Sequence, residues 1–430
     1  MQQRFQELLL SRYRKIFHPQ KTGRAFGYWN TWVLGKEYYE LSKEVSNGSA
    51  SNQQLIDLLA KKLNLNNWQE QENLLRSVCM CSRFDHSVSA FEQHYRTLLS
   101  ELECTDIADW DNTAIERLIY IFIVEGLFHA ALLLREKYEK KVLTSGRADQ
   151  KLAVLFQNGE FEAASRLLHA PSSSFAVRCI SLRAYHTYKR SIDAALGSEN
   201  SQPKNVYEQY LKSRPIYIIG PSDNQCPVSI PEDCAIVRFA YMGKERLSGC
   251  YANKQTTISY YNGTHADRVS DMADTSFLDE LQFAVLKYKP LTHDWCRRLD
   301  SRHLRVAPIE LAVMQHGVSL NMLQIVLIDL LQFGKLDITV LNNNLYLNRV
   351  YEAGYASIEV QKAQGDYDFA AQFAKHDVFC NFRFTKALHD RGFFRADARL
   401  EAIMSMTAEQ FADAMQKEYG HQNYLIGGTA

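Results

Sequence analysis

The chain has 430 residues, 46% of them hydrophobic and 12% aromatic, and its 49 Lys plus Arg balance its 49 Asp plus Glu. That length suits about two or three ordered domains, and zero net charge excludes a global basic field that would hold nucleic acid by phosphate neutralisation. The nine cysteines are odd in number, and a chain this large needs no disulfides, which points to a reducing cytoplasm.

The first segment, "FQELLLSRYRKIF", sets Phe5, Leu8, Leu9, Tyr13 and Phe17 near one helical face among Arg4, Arg12, Arg14 and Lys15. The expectation is a helix packed on its own domain, with peripheral attachment to an anionic inner-membrane surface as the alternative. Three leucines before charges resume are too few for a secretory apolar region, so no leader is expected. Cys79 and Cys81 form a CxC without a second pair at zinc-site spacing; they read as buried thiols, and no metal is expected. "LIYIFIVEGLFHAALLL" (118–134) is interrupted by Glu125, Gly126 and His129 and is shorter than a bilayer crossing, so it reads as a buried helix pair.

Apolar residues recur every three or four positions up to about residue 200, which predicts an all-α domain over 1–200. "GLFHAALLL" from Gly126 and "GEFEAASRL" from Gly159 echo each other, pairing Gly126/Gly159, Phe128/Phe161, Ala130/Ala163, Ala131/Ala164 and Leu134/Leu167. A glycine turn, an aromatic wedge and paired alanines suit stacked helical hairpins of tetratricopeptide-like (TPR-like) character. Such a domain serves either as scaffold or as a surface for a protein partner.

"GSENSQPKN" (197–205) is a polar join, and a second domain is expected over 206–430. There the pattern alternates: strands at "IYIIG" (216–220), "CAIVRFA" (234–240), "TTISYYN" (256–262), "FAVLKY" (283–288) and "LDITVL" (336–341), with helices at 318–333, 357–374 and 377–391. This predicts α/β architecture, a Rossmann-like parallel sheet with helices on both faces. The first strand stops at Gly220, Pro221, Ser222, Asp223 and Asn224. Ligands of open α/β sheets bind beyond the carboxyl ends of strands, and a glycine there admits a nucleotide close to the backbone. The turn is neither G-x-G-x-x-G nor a P-loop, which disfavours an ordinary dehydrogenase or kinase.

The run "YIIGPSDNQ…IPEDCAIVRFAYMGKERLSGCYANKQTTISYYN" resembles the large donor-binding motif of sialyltransferases, with Asp233, Val237 and Arg238 on its second strand. Where that family has an asparagine two places after the arginine, this chain has Ala240. "KQTTISYYN" occupies the position of a third strand end, which the resemblance gives a nucleotide-contacting Asn262. "QHGVSLNMLQIVLIDLLQFGKLDITVLNNNLYL" (315–347) is similar to the small sialyl motif, with His316, Gly317 and Ser319 at the turn and His316-Gly317 replacing the family's Ser-Gly. "AKHDVFCNFRFTKAL" (374–388) resembles the segment in which these transferases carry a histidine ahead of a helix.

The resemblance covers about residues 214–391. It implies a metal-independent glycosyltransferase, with no cofactor beyond a CMP-activated donor of sialic acid or Kdo and an oligosaccharide or glycolipid acceptor. Its setting would be bacterial surface polysaccharide or lipopolysaccharide synthesis. His376 would be the general base, since a neutral imidazole accepts a hydroxyl proton near neutral pH, and Asp377 would orient it or cap the next helix. "NNNLYLNRVYEAGY" (342–355) supplies Asn342, Asn343, Asn344, Tyr346, Tyr351 and Tyr355 as donors to the leaving phosphate, with Tyr346 and Tyr351 foremost. A retaining Kdo transferase would instead need a carboxylate nucleophile, for which Asp223 and Asp267 are candidates. His265 is a candidate ligand of a donor phosphate or carboxylate. "HDWCRRLDSRHLR" (293–305) offers guanidinium forks for an acidic sugar, or a solvated helix face. The reading from a different class is a non-catalytic helical-repeat interaction protein whose nucleotide-binding half is degenerate.

Overall fold

A computed structural model describes residues 23–63, 72–81, 88–170, 182–197, 205–222, 228–287, 295–296, 299, 303–307, 320–347 and 376–420. The amphipathic segment 4–17 and the helix expected at 357–374 lie outside the described residues. Up to residue 197 every described element is a helix: α1 (Gly23–Ser46), α2 (Asn52–Leu63), α3 (Glu72–Met80), α4 (Val88–Cys104), α5 (Asn112–Val124), α6 (Phe128–Ser145), α7 (Ala148–Gln157), α8 (Phe161–His169) and α9 (Leu182–Ala195). The apolar run 118–134 is the buried pair α5 and α6, as expected. Among the described residues no helix is long and apolar enough to cross a membrane. Cys79 and Cys81 are buried, and burial, first of all, holds the Cys79 thiol well above its ordinary pKa.

The two echoed segments close in the same way. Gly126 (φ +74°) and Gly159 (φ +71°) both occupy the left-handed region. Leu127 N donates to Phe122 O at 2.7 Å and Glu160 N to Leu155 O at 2.8 Å, so each turn satisfies the last carbonyls of one helix before starting the next. Phe128 and Phe161 are fully buried wedges, as are Ala131 and Ala164.

After α10 (Val206–Lys212), capped by the Asn205 side chain on Glu208 N, come β1 (Ile216–Ile219), β2 (Ala235–Phe239), β3 (Ile258–Tyr261), α11 (Gly263–Asp271), β4 (Phe283–Leu286), β5 (Leu304–Val306), α12 (Met322–Leu331) and β6 (Ile338–Leu341). The chain continues through α13 (Val378–Asp390), β7 (Arg395–Ala396), α14 (Ala398–Met404) and α15 (Ala408–Tyr419). The strands form one seven-stranded sheet in the order β5-β4-β3-β2-β1-β6-β7, every pairing parallel. The protein is thus α/β with a preceding helical half, and the sheet is compatible with a Rossmann-like domain. β1–β4 and β6 are buried on both faces, which is why they appear in sequence as unbroken apolar runs rather than alternating ones.

Alternation instead sorts residues between the two faces of the sheet. Ile216, Ile218, Val237, Tyr260, Val285 and Val340 face the large core that α12, α13, α15 and the helices before residue 200 also line. Tyr217, Ile219, Ile236 and Leu341 face a smaller cluster with Tyr251; Tyr261, Ala284 and Leu286 pack beneath α11. The large core runs without interruption across residue 200. Phe156 of α7 packs on Phe384 of α13 with ring centroids 5.4 Å apart, and Arg383 of α13 binds Glu136 and Glu139 of α6, each at 2.8 Å. The boundary expected there divides two kinds of secondary structure that share one interior.

Inside it, Tyr207 and Tyr260 exchange a hydroxyl hydrogen bond of 2.8 Å, Tyr260 Oη donates to Asp329 Oδ2 at 2.8 Å, and Arg305 donates to both Asp329 oxygens at 2.6 and 3.3 Å. The Arg305 fork, offered by the sequence to an acidic sugar, is therefore occupied by the chain's own Asp329. Arg305 lies on strand β5, where the sequence suggested a helix face.

Candidate functional site

β1 to β5 step outward on one side of β1, and β6 returns to its other side, so the order reverses between β1 and β6. At such a reversal the two carboxyl ends diverge, and the crevice beyond them is where open α/β sheets bind ligands. Gly220 and Asn342 end these two strands. Gly220 N donates to Leu341 O at 2.8 Å and Ser222 N to Asn342 O at 3.0 Å. A Cβ on Gly220 would lie 2.2 Å from the Asn342 carbonyl oxygen. The glycine is thus required by the neighbouring strand end, whether or not a ligand approaches it.

Beyond β6 the backbone is held in an unusual path. Asn342, Leu345 and Tyr346 have φ of +52°, +45° and +75°, each in the region that costs an L-residue about 1–2 kcal/mol. Bonds from around the turn hold it there. Asp397, which caps α14 through Leu400 N, accepts from Asn342 N at 2.7 Å, Asn343 Oδ1 accepts from Leu345 N at 3.2 Å, and the Tyr419 hydroxyl donates to Tyr346 O. Ala240, ending β2, is also left-handed at φ +53°. Four of the five non-glycine residues with positive φ among the described ones therefore follow strand ends on this edge of the sheet, and such conformations persist where the surroundings over-determine them.

The fifth is Asp377, at φ +42°. Its side chain accepts from Cys380 N at 3.1 Å, capping α13, and it is ion-paired with Arg135 of α6. The sequence offered two roles for Asp377; the cap is realised, and its carboxylate is engaged by Arg135. His376 precedes it, half-buried, with its ring stacked on Tyr346 at 6.5 Å between centroids and 19° between planes. Cys380 in the first turn of α13 is no reactive thiolate, since burial pushes it up to about 12.

The structure brings together Gly220, Ser222, Asn342 and Asn343 at one strand tip, with half-buried Pro221 between the first two, and it brings Tyr346 together with His376. Arg238 lies beside Ile219 in register, buried on the face of the smaller cluster, where it donates to Tyr251 O at 2.5 Å. Asn262 stands at the tip of β3 and caps α11, its Oδ1 accepting from His265 N at 2.8 Å; the nucleotide contact implied for it would compete with that cap. Asp267 is exposed on α11, a full turn past the strand end, which is poor placement for a nucleophile. Asp223, Asn224, His316, Gly317, Ser319, Tyr351 and Tyr355 lie outside the described residues.

His265 is 5% exposed, and among the described residues its Nδ1 has no hydrogen-bond partner. Burial, with a smaller push from Arg268, lowers its pKa to about 4. The imidazole is neutral at pH 7, so it would meet a phosphate by hydrogen bonding rather than by charge. A depression of about 490 Å³ beside the segment joining α11 to β4 is lined by Glu245, Asp271, Asp274 and Glu280 with Arg246. It contains none of the expected residues, and its acidic rim repels a nucleotide phosphate. Among the described residues no group of three or more His, Cys, Asp or Glu could hold a metal ion.

The sequence did not single out Asp397 and Tyr419, which hold the strained turn after β6, or Arg135 and Asn381, which hold Asp377 and the peptide before it. Asp397 had a signal, an acidic residue directly before a helical run; Arg135 and Tyr419 are paired only by tertiary structure. No family model matches this chain, and no curated protein or solved structure matches it either.

Proposed function

We propose that the crevice between β1 and β6 binds a CMP-activated acidic sugar, sialic acid or Kdo, and that the protein transfers the sugar to a saccharide acceptor. The observation carrying this reading is the pairing, at the reversal of strand order, of a glycine-ended β1 and a strained asparagine turn with His376 stacked on Tyr346 just beyond. Gly220, Ser222 and the Asn342-Asn343 turn would face the nucleotide. His376 would accept the acceptor hydroxyl's proton as that oxygen attacks the anomeric carbon and the cytidine monophosphate leaves. The stack leaves the imidazole half-exposed, as a base needs. Asp267, exposed on α11, lends the retaining alternative no support; the other candidate nucleophile, Asp223, lies outside the described residues.

The helical half turns its two echoed glycine corners inward, Gly126 onto the end of α15 and Gly159 onto α13. That use counts against a free partner-binding concave face, and so against the interaction-protein reading.

Cytidine mono- or diphosphate at a hundred times its dissociation constant stabilises the native state by about 2.7 kcal/mol. A melting panel should therefore show a raised midpoint with cytidine nucleotides, much less with uridine, guanosine or adenosine nucleotides, and the same cytidine shift in His376→Ala without sugar transfer. A flat response to cytidine compounds overturns the proposal.

A further inference from the structure

The backbone on both sides of the His376–Tyr346 stack is tied, through a neighbouring residue, to a helix of the other half of the chain. On one side, Asp377 is held in its left-handed conformation by two bonds at once: the cap on Cys380 N and the ion pair with Arg135. The side chains of Arg135 and Asp377 are 6% and 2% exposed, so no water can replace either partner cheaply. Rotating Asp377 into the ordinary helical region would break both bonds and swing the peptide that carries His376. Asn381 reinforces this peptide by donating to the carbonyls of His376 and Asp377, and its Oδ1 accepts from Asn321 N at 3.0 Å, at the start of α12.

On the other side, Tyr419 donates to the carbonyl of left-handed Tyr346. The Tyr419 ring lies 6.5 Å from the Phe128 ring, and its own carbonyl sits against Gly126, where a Cβ would approach to 2.8 Å. Phe128 N also donates to Gln416 Oε1 at 3.1 Å, one turn earlier on α15. Phe128 and Arg135 are seven residues apart on α6, two turns along one face.

We infer that α6 is the positioning element of the candidate catalytic pair, with Arg135 fixing His376 through Asp377 and Phe128 fixing Tyr346 through Tyr419. Arg135 touches none of the reacting atoms; it acts through Asp377 and is a positioning residue. The consequence for turnover rests on the transferase reading above, whereas the consequence for the imidazole does not.

Arg135→Met alone strands a buried carboxylate and tests stability rather than position, so the informative variant is Arg135→Met/Asp377→Asn. Asparagine keeps the cap and tolerates the left-handed backbone. The experiment follows the His376 Cε1–H resonance, assigned by its absence from His376→Gln, together with cytidine monophosphate binding and transfer kinetics. The double variant is expected to melt cooperatively and keep the cytidine shift. Its His376 signal should move beyond the spread at the other histidines, and kcat should fall about tenfold or more at unchanged donor KM. Arg135→Lys, which keeps the charge without the fork, is expected to fall between the two and serves as the test should the double variant fail to fold. An unmoved His376 signal, or an unchanged kcat, in a folded variant overturns the inference. A moved signal in a protein indifferent to cytidine nucleotides upholds the positioning role and overturns only the transferase reading.

Discussion

Two glycines with the same backbone angle separate the cost of conformation from the cost of docking the two halves. Gly159 and Gly392 both have φ of +71°, but among the described residues a Cβ on Gly392 meets nothing within 4 Å, whereas one on Gly159 would lie 2.1 Å from Ala387 Cβ on α13. Gly392→Ala should therefore cost only the left-handed penalty, about 1 kcal/mol. Gly159→Ala pays the same penalty and must also push α13 away from the α7–α8 hairpin, an overpacking cost of about 1–3 kcal/mol, giving about 3 kcal/mol in all. Adding Ala387→Gly should recover the overpacking part, less about 1 kcal/mol for a glycine inside a helix. Equilibrium urea unfolding, followed by far-ultraviolet circular dichroism and tryptophan fluorescence, reads these differences as midpoint shifts at constant slope. Equal losses for Gly159→Ala and Gly392→Ala, or no recovery in the double variant, would refute the close contact between the halves.

Protonation of His265 gives a pH dependence of known sign. Its folded pKa, about 4, lies below the unfolded value near 6.5, so only the unfolded chain gains a proton as pH falls between them. Stability from this group is intact above about pH 6.5 and declines by about 3 kcal/mol on approaching pH 4. His265→Gln should flatten that part of a stability-versus-pH curve measured by denaturant titration, and an unchanged curve would show that the imidazole is not buried neutral. For the interior chain of polar groups, Asp329→Ala should destabilise by about 3–5 kcal/mol because it strands the half-buried Arg305 guanidinium and the Tyr260 hydroxyl. Tyr260→Phe, which leaves the Arg305–Asp329 pair in place, should cost about 1–2 kcal/mol, and thermal melts that rank the two the other way would contradict the assigned bonding.

Five strands were legible because doubly buried parallel strands are written as short runs of Ile, Val and Tyr. β5 was not: Leu304–Val306 is three residues long at the sheet edge, embedded in a basic segment, and its Arg305 earns its place through Asp329 on α12. β7, only Arg395–Ala396, carries no periodic signal at all. At the site, turn chemistry marked Gly220 and Asn342, but not that the one is required by the carbonyl of the other. The left-handed state of Tyr346 was illegible for a physical reason: tyrosine has no local preference for it, and the bond that holds it comes from Tyr419, 73 residues on. The Arg135–Asp377 pair was hidden similarly, since either charge alone resembles any surface charge until the fold buries both.

The contact between Phe128 and Gln416 spans 288 residues, and this has a bearing on how the molecule is made. Ribosomes add roughly 5–20 residues per second, so α6 waits about 15–60 s after its own synthesis before α15 emerges to cover it. During that interval the nascent chain carries an uncovered apolar flank. Biosynthesis therefore favours chaperone shelter until α15 has been made, and the imidazole cannot acquire all its neighbours before Tyr419 has been translated.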